Sequence, residues 1–179
     1  MDLILGIDPG TSFCGWALLT VDGNLYSSGC ISVSTKLGDY KLRMVNISNT
    51  VEGLLSLVHS KGHRLVMAGI ESQYVANNPN SVMILSRLTG SLMMSIYRVY
   101  GIIAEDIAPE SAKKVFGVKS HDYKNLKRKD KRKALDNAMK EAAEREFGKK
   151  INRADEAFAM AIAKVTLNIY NEAEDIEAV

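Results

Sequence analysis

Three acidic positions in this chain of 179 residues are candidates for chemistry, and each lies at the end of an apolar segment or beside one. The first apolar run ends at Asp8 and a Pro-Gly turn, which predicts a buried strand that delivers a carboxylate to a sheet edge. A second run, residues 65–70, ends at Glu71. Asp155 and Glu156 follow in the first turn of the last predicted helix. If the two strands are neighbours, Asp8 and Glu71 end side by side.

Clustered carboxylates with no histidine or cysteine at ligand spacing predict a site for hard cations, Mg²⁺ or Mn²⁺. Two such ions can activate a water molecule and stabilise the leaving oxygen of a phosphodiester. Alone, Asp8 is better explained as a turn residue, and Glu156 is equally well explained as a carboxylate favoured near a helix N-terminus. Together, the acids favour metal-dependent phosphodiester hydrolysis.

A basic segment lies in the second half of the chain. Ten of the 23 lysines and arginines fall between Lys113 and Lys133, against two acids, Asp122 and Asp130. Such a run is often a solvated surface, but its density and its position after the last predicted strand favour contact with a polyanion, the backbone of a nucleic acid.

The hydrophobic pattern predicts an α/β fold of one domain, residues 1–171, followed by an acidic tail, residues 172–179. Three strands in a meander precede two strands that are separated by helices, which predicts a five-stranded mixed sheet with helices on both faces. The predicted strands cover residues 2–8, 13–20, 25–33, 65–71 and 102–107, and the predicted helices cover 39–60, 79–101, 109–116, 129–147 and 152–171.

The composition, 46% hydrophobic and 25% charged, is that of an ordinary globular protein. No apolar run reaches the roughly 18 residues of a membrane-spanning helix, and the chain opens on a strand instead of a signal segment. We therefore expect a cytoplasmic protein with no membrane contact. Cys14 and Cys30 are expected to be reduced thiols.

Several short motifs resemble those of the RuvC Holliday-junction resolvases, which belong to the ribonuclease H-like superfamily. The resemblance covers residues 3 to about 165 and implies a ribonuclease H-like five-stranded sheet, a homodimer, and Mg²⁺-dependent cutting of paired strands at a four-way junction to leave 5′-phosphate ends. The residues that carry it are Gly6-Ile7-Asp8-Pro9-Gly10 with Gly15, Ile70-Glu71-Ser72-Gln73-Tyr74 with Asn78 and Ser81, Pro109 with Lys113 and Gly117, and residues 154–163.

The resemblance also implies roles for individual residues. Asp8 and Glu71 match the first two metal ligands, and Tyr74 matches an aromatic residue at the junction centre that can stack on an unpaired base. Lys113 matches a lysine near the scissile phosphate. The further DNA contacts are expected at Lys114 beside it and, for a second basic position, at Lys131 or Arg132.

The last helix departs from the family pattern of two aspartates three residues apart. In one alignment Glu156 takes the second position and Arg153 the first, and in an alignment shifted by one residue Asp155 and Asn152 occupy them. Either way one family carboxylate is missing. The helix is apolar nearly all round, so periodicity does not choose between the two, and we expect one of the adjacent acids to bind metal, with Glu156 favoured.

Three functions therefore stay open. The first is a structure-selective endonuclease, a homodimer that incises four-way and three-way DNA junctions with Mg²⁺, for which Mn²⁺ can substitute. The second is a branched-DNA-binding protein whose catalysis the altered last motif weakens. The third takes the Asp8 turn as the phosphate loop of a nucleotide-binding ATPase-like fragment, which would need a second domain to close over nucleotide. The small size and the departures from the cellular pattern are compatible with a bacterial or a phage gene.

Overall fold

The computed structural model describes residues 1–73 and 79–177. No helix in these two ranges is both long and apolar enough to cross a membrane. The strands are β1 (Asp2–Asp8), β2 (Phe13–Thr20), β3 (Leu25–Ser32), β4 (Arg64–Glu71) and β5 (Glu105–Ile107), and the helices are α1 (Tyr40–Ser60), α2 (Pro79–Tyr100), α3 (Pro109–Val115), α4 (Arg128–Phe147) and α5 (Ala154–Glu177).

The five strands form one mixed sheet in the order β3-β2-β1-β4-β5. β1, β2 and β3 pair antiparallel, whereas β4 lies parallel to β1 and β5 parallel to β4. Ile7 pairs with Ile70 in this register, so Asp8 and Glu71 lie side by side at the ends of two neighbouring strands. The predicted five-stranded mixed sheet and the predicted neighbourhood of the two acids are both confirmed.

Helices cover both faces of the sheet, and the side chains of β1 alternate between the two hydrophobic cores that result. Leu3, Leu5 and Ile7 are fully buried against α1 and α2, while Ile4 is buried with α3, α4 and α5. A strand directs every second side chain to the same face, so Asp8 shares the face of Ile4. The strand therefore delivers its terminal carboxylate to the α5 side of the sheet.

Helix α5 lies unusually close to the middle of the sheet. A Cβ atom built on Gly6 of β1 would stand 2.3 Å from the carbonyl oxygen of Ala159 and 2.3 Å from the backbone nitrogen of Ala163. Only glycine leaves room for that approach. Gly69 of β4 lies under Thr166 of the same helix, so two central strands both support α5.

Two predicted boundaries are wrong. α5 does not end near residue 171 but continues to Glu177, so the acidic residues expected in a tail form its exposed last turns as far as residue 176. Most residues of these turns are acidic and none from 171 to 176 is buried, which is why the predicted helix ended early. β5 has three residues instead of six, since residues 102–104 precede the segment that pairs with β4.

Candidate active site

A cavity of about 800 Å³ opens where β1 and β4 end. Its walls come from these two strands, from α3 and α4, and from the start of α5. The cavity is lined by four acids, Asp8, Glu71, Asp136 and Asp155, and by seven bases, Lys113, Arg128, Lys131, Arg132, Lys133, Lys140 and Arg153. Acids from separate parts of the chain thus line one cavity together with seven bases.

Asp8 and Glu71 are both partly buried at the strand ends. Burial raises the pKa of Asp8 well above its usual range, and the negative charges of Glu71 and Asp155 raise it further, while Arg132 opposes the shift. Burial likewise raises the pKa of Glu71 to about 7, against the effect of Lys113. Burial is thus the main cause at both carboxyl groups, and the neighbouring acids add a repulsion at Asp8.

Asp155 reaches the cavity from the first turn of α5. Arg153 holds it there, since the guanidinium Nε donates to Asp155 Oδ2 at 3.0 Å and a second guanidinium nitrogen lies 3.0 Å from the same oxygen. The guanidinium carbon of Arg153 also lies 3.3 Å from the centre of the Phe13 ring, an arrangement that favours a cation–π interaction. Arg153 thus fixes Asp155 without occupying its Oδ1 atom.

Glu156 is turned away from the other acids and does not line the cavity. Its side chain is buried, and its Oε1 accepts hydrogen bonds from Ser28 Oγ at 2.7 Å and from Lys149 Nζ at 2.6 Å. Adjacent residues of a helix point about 100° apart, so both acids cannot face one site. The expectation that favoured Glu156 disagrees with this geometry, which brings Asp155 to Asp8 and Glu71 instead.

The bases singled out from the sequence have different positions. Lys113 lines the cavity, and its Nζ donates to Glu110 Oε1 at 2.6 Å and to Ser120 Oγ at 3.2 Å. Lys131 and Arg132 line it from α4. Lys114 is exposed at the end of α3, outside the cavity lining. Tyr74 lies outside the described residues.

Asp136 is the acid that the sequence reasoning missed. It lines the cavity from α4, and burial and the charge of Asp155 raise its pKa, while Arg132 lowers it. A signal for it was available: Arg128, Arg132, Asp136 and Lys140 are four residues apart, so they share one face of a helix. On that face Asp136 is an acid within a row of bases.

The donor set fits a hard divalent cation, since the acids of the cavity offer oxygen atoms alone. Burial first, and the charges of Glu71 and Asp155 second, raise the pKa of Asp8, and a bound cation would oppose both effects. In the part of the chain that the structure describes, no three acidic, histidine or cysteine side chains already stand close enough to hold an ion. Binding therefore requires the carboxylates to converge.

Comparison with known proteins relates this arrangement to one family. The family model of the crossover junction endodeoxyribonuclease RuvC matches residues 4–143. The RuvC of Campylobacter concisus is 33% identical over 126 residues, which cover 69% of this chain and 76% of that protein. The RuvC of Aliarcobacter butzleri is 33% identical over 105 residues, 57% of this chain, and the match spans only 64% of the relative's length.

Two solved structures show the same fold at low sequence identity. T. thermophilus RuvC in complex with Holliday junction substrate superposes with a TM-score of 0.67 at 16% identity, over 97% of this chain and 96% of that one. The yeast mitochondrial Holliday junction resolvase superposes with a TM-score of 0.52 at 16% identity, over 96% of this chain and 80% of that one. The ribonuclease H-like architecture implied by the sequence motifs is thereby confirmed.

Proposed function

This chain belongs to the RuvC family of crossover junction endodeoxyribonucleases, and from this premise we propose that it incises branched DNA at four-way and three-way junctions. One observation carries the proposal. Asp8, Glu71 and Asp155, from three different elements, line a single cavity whose remaining charged residues, apart from Asp136, are bases. Carboxylates suit a metal-dependent hydrolysis, and the surrounding bases suit a polyanionic substrate.

The metal of this proposal is Mg²⁺, for which Mn²⁺ can substitute, because both prefer oxygen ligands. Asp8, Glu71 and Asp155 would hold it. When bound, such ions activate water as a nucleophile and stabilise the negative charge that develops on the phosphate oxygens. Arg153 keeps Asp155 pointed into the cavity by engaging Oδ2, which leaves Oδ1 for the metal.

The bases divide into two groups in this function. Lys113 sits on the Glu71 side of the cavity, where its Nζ can exchange Glu110 for an oxygen of the scissile phosphate. Lys131 and Arg132 neutralise backbone phosphates along α4, and Lys114 contributes from outside the cavity. The aromatic ring of Tyr74 stays a prediction for base stacking at the junction centre.

The working form in this proposal is a homodimer in the bacterial cytoplasm, encoded by the cell or by a phage. Each chain supplies the acidic cavity at the ends of β1 and β4, and resolving a junction requires two incisions in paired strands. Two copies of the chain supply the two sites. The oligomeric state is measurable by sedimentation velocity, with and without junction DNA.

The deciding experiment incubates the protein with labelled four-way, three-way and linear duplex DNA, with Mg²⁺, with Mn²⁺ and with a chelator. We expect incision of the two junctions only when a divalent ion is present. Asp8→Asn should abolish cutting and leave junction binding intact, because it removes a metal ligand and no DNA contact. Asp22→Asn is the matched control, since Asp22 is an exposed residue of a hairpin turn that asparagine also favours.

Two results would contradict the proposal. Junction binding without incision at any divalent ion would favour a branched-DNA-binding protein instead. Equal loss of binding and cutting in Asp8→Asn would mean that Asp8 has a structural role.

A further inference from the structure

Helix α4 presents a basic surface to the cavity, with one exception. The cavity-lining residues of this helix include five bases, and Asp136 is the acid among them. A helix surface that contacts DNA phosphates gains affinity from each base and loses it to each acid, since like charges repel. An acid within that surface therefore calls for a role that offsets the repulsion.

The contacts of Asp136 leave its oxygens available. Within residues 1–73 and 79–177, no hydrogen bond engages its carboxylate, and its ion-pair partner Arg132 stands with Nε 3.9 Å from Oδ2. The Arg132 side chain is 85% exposed and free to move toward solvent or DNA, whereas 35% of the Asp136 side chain is exposed. Asp136 also lines the same cavity as Asp8, Glu71 and Asp155.

The charge balance of the proposed metal site leaves room for a fourth carboxylate. Two divalent cations carry four positive charges, whereas Asp8, Glu71 and Asp155 supply three negative ones. Glu156 cannot complete the set because it is buried against Lys149 and Ser28. Asn152 lines the cavity but offers a neutral amide.

We propose that Asp136 is the fourth carboxylate of the metal site, supplied by α4 in place of a second acid on α5. This inference rests on the proposed function, because it assigns a residue to the same site. It also links the two tasks of α4, since the helix that carries the DNA-binding bases would then hold part of the metal.

The test measures Mn²⁺ binding to the DNA-free protein by isothermal titration calorimetry and by the electron paramagnetic resonance signal of free Mn²⁺. We expect Asp136→Asn to weaken the affinity for at least one ion about tenfold or more, given that even outer-shell ligand partners are worth ~10–100-fold. Asp130→Asn is the matched control, because Asp130 lies on the same helix, is exposed and does not line the cavity. Equal Mn²⁺ affinity in the two variants would overturn the inference.

A second measurement distinguishes two roles of Asp136, that of a metal ligand and that of a residue that only pairs with Arg132. In a chelator, Asp136→Asn should bind junction DNA several-fold more tightly than the wild type, because a repulsive charge has left the basic surface. Asp136→Glu keeps the carboxylate and should recover most of the Mn²⁺ affinity. If Asp136→Asn only lowers the melting temperature and both affinities stay unchanged, Asp136 is structural and the inference is wrong.

Failure of the inference and failure of the proposed function give different results. Wild-type protein that cuts junctions while Asp136→Asn binds Mn²⁺ as tightly would refute the role of Asp136 alone. Wild-type protein that cuts no DNA, but loses Mn²⁺ affinity in Asp136→Asn, would refute the nuclease function and keep the fourth ligand.

Discussion

Gly15 lies directly against the backbone of Asp155. A Cβ atom built on Gly15 would stand 1.9 Å from the Asp155 carbonyl oxygen, far inside any tolerated contact. Gly15 is also the residue that pairs with Asp8 across β1 and β2. The absence of a side chain at Gly15 thus allows the first turn of α5 to settle beside Asp8, and a residue with no functional group sets the spacing of two acids.

We expect Gly15→Ala to impair the site more than the fold. The added methyl group must push the start of α5 away from β2, because the atoms it meets belong to the backbone and cannot rotate aside. Overpacking of this kind costs about 1–3 kcal/mol of stability. A displacement near 1 Å in an active site can cost on the order of 100-fold in rate. Incision assays and thermal unfolding would measure the two effects.

Gly53→Ala is the control for this substitution. Gly53 is exposed within α1, and nothing lies within 4 Å of a Cβ atom built there. Alanine should stabilise that helix by about 0.5–1 kcal/mol and leave incision unchanged. The role of Gly15 would be wrong if both alanine variants cut junctions at the wild-type rate.

The metal-free protein should become less stable as the pH rises through the range in which Glu71 titrates. The folded state holds the pKa of Glu71 near 7, above its ordinary value of 4.5. Below 4.5 both states bind the proton, so there is no penalty; between these values the unfolded state releases it, and stability falls with rising pH. Above 7 the loss is complete, on the order of 2 kcal/mol at this partly buried site.

Glu71→Gln should therefore stabilise the metal-free protein at pH 8 and have little effect at pH 4.5, as measured by urea unfolding with a chelator present. Glu141→Gln, at an exposed position of α4, is the control and should change neither value. Adding Mg²⁺ should stabilise the wild type more than Glu71→Gln, because a ligand stabilises only the state that binds it and the variant has lost one carboxylate. A Glu71→Gln protein no more stable than the wild type at pH 8 would contradict the prediction.

Asp155→Asn and Glu156→Gln should separate the two adjacent acids of α5. Asp155→Asn should lower Mn²⁺ affinity by about tenfold or more, because it removes a carboxylate from the cavity. Glu156→Gln should leave Mn²⁺ affinity within about twofold and instead cost about 1–2 kcal/mol of stability, since it breaks the ion pair with Lys149. Calorimetric titration and urea unfolding measure the two quantities. Equal loss of Mn²⁺ affinity in both variants would contradict this assignment.

The fold was largely predictable from the sequence, because the hydrophobic pattern reports it directly. Apolar runs ending at Asp8 and Glu71 marked the two central strands, and the parallel pairing of β1 with β4 follows from the helix between β3 and β4. The hydrophobic pattern failed to predict the C-terminal end of α5. Four of residues 172–177 are acids and no side chain from 172 to 176 is buried, so the hydrophobic pattern did not extend the helix to its observed end.

The site was predictable only in part, because tertiary contacts decide the rest. The part of α5 that follows these two acids is apolar nearly all round, so periodicity could not tell which acid faces the cavity. Ser28 and Lys149 donate hydrogen bonds to Glu156, while Asp155 faces the cavity. Asp136 stands among alternating charges that read as a solvated helix surface. Its relation to Asp8 depends on how α4 packs against α5, which no local pattern encodes.

The affinity for junction DNA should depend on salt concentration through the lysines and arginines of α4. Each phosphate contact that a lysine or arginine makes adds about 0.9 to the slope of log affinity against log salt concentration for duplex DNA. Arg128→Gln and Lys131→Gln should each lower that slope by about one, because both residues line the cavity. If they contact phosphates alone, binding weakens evenly for junctions of different sequence. Lys36→Gln, an exposed change in the turn before α1, is the control and should leave the slope unchanged. An unchanged slope in Lys131→Gln would mean that the DNA follows another path across the protein, and a change confined to one junction sequence would mean that α4 contacts bases.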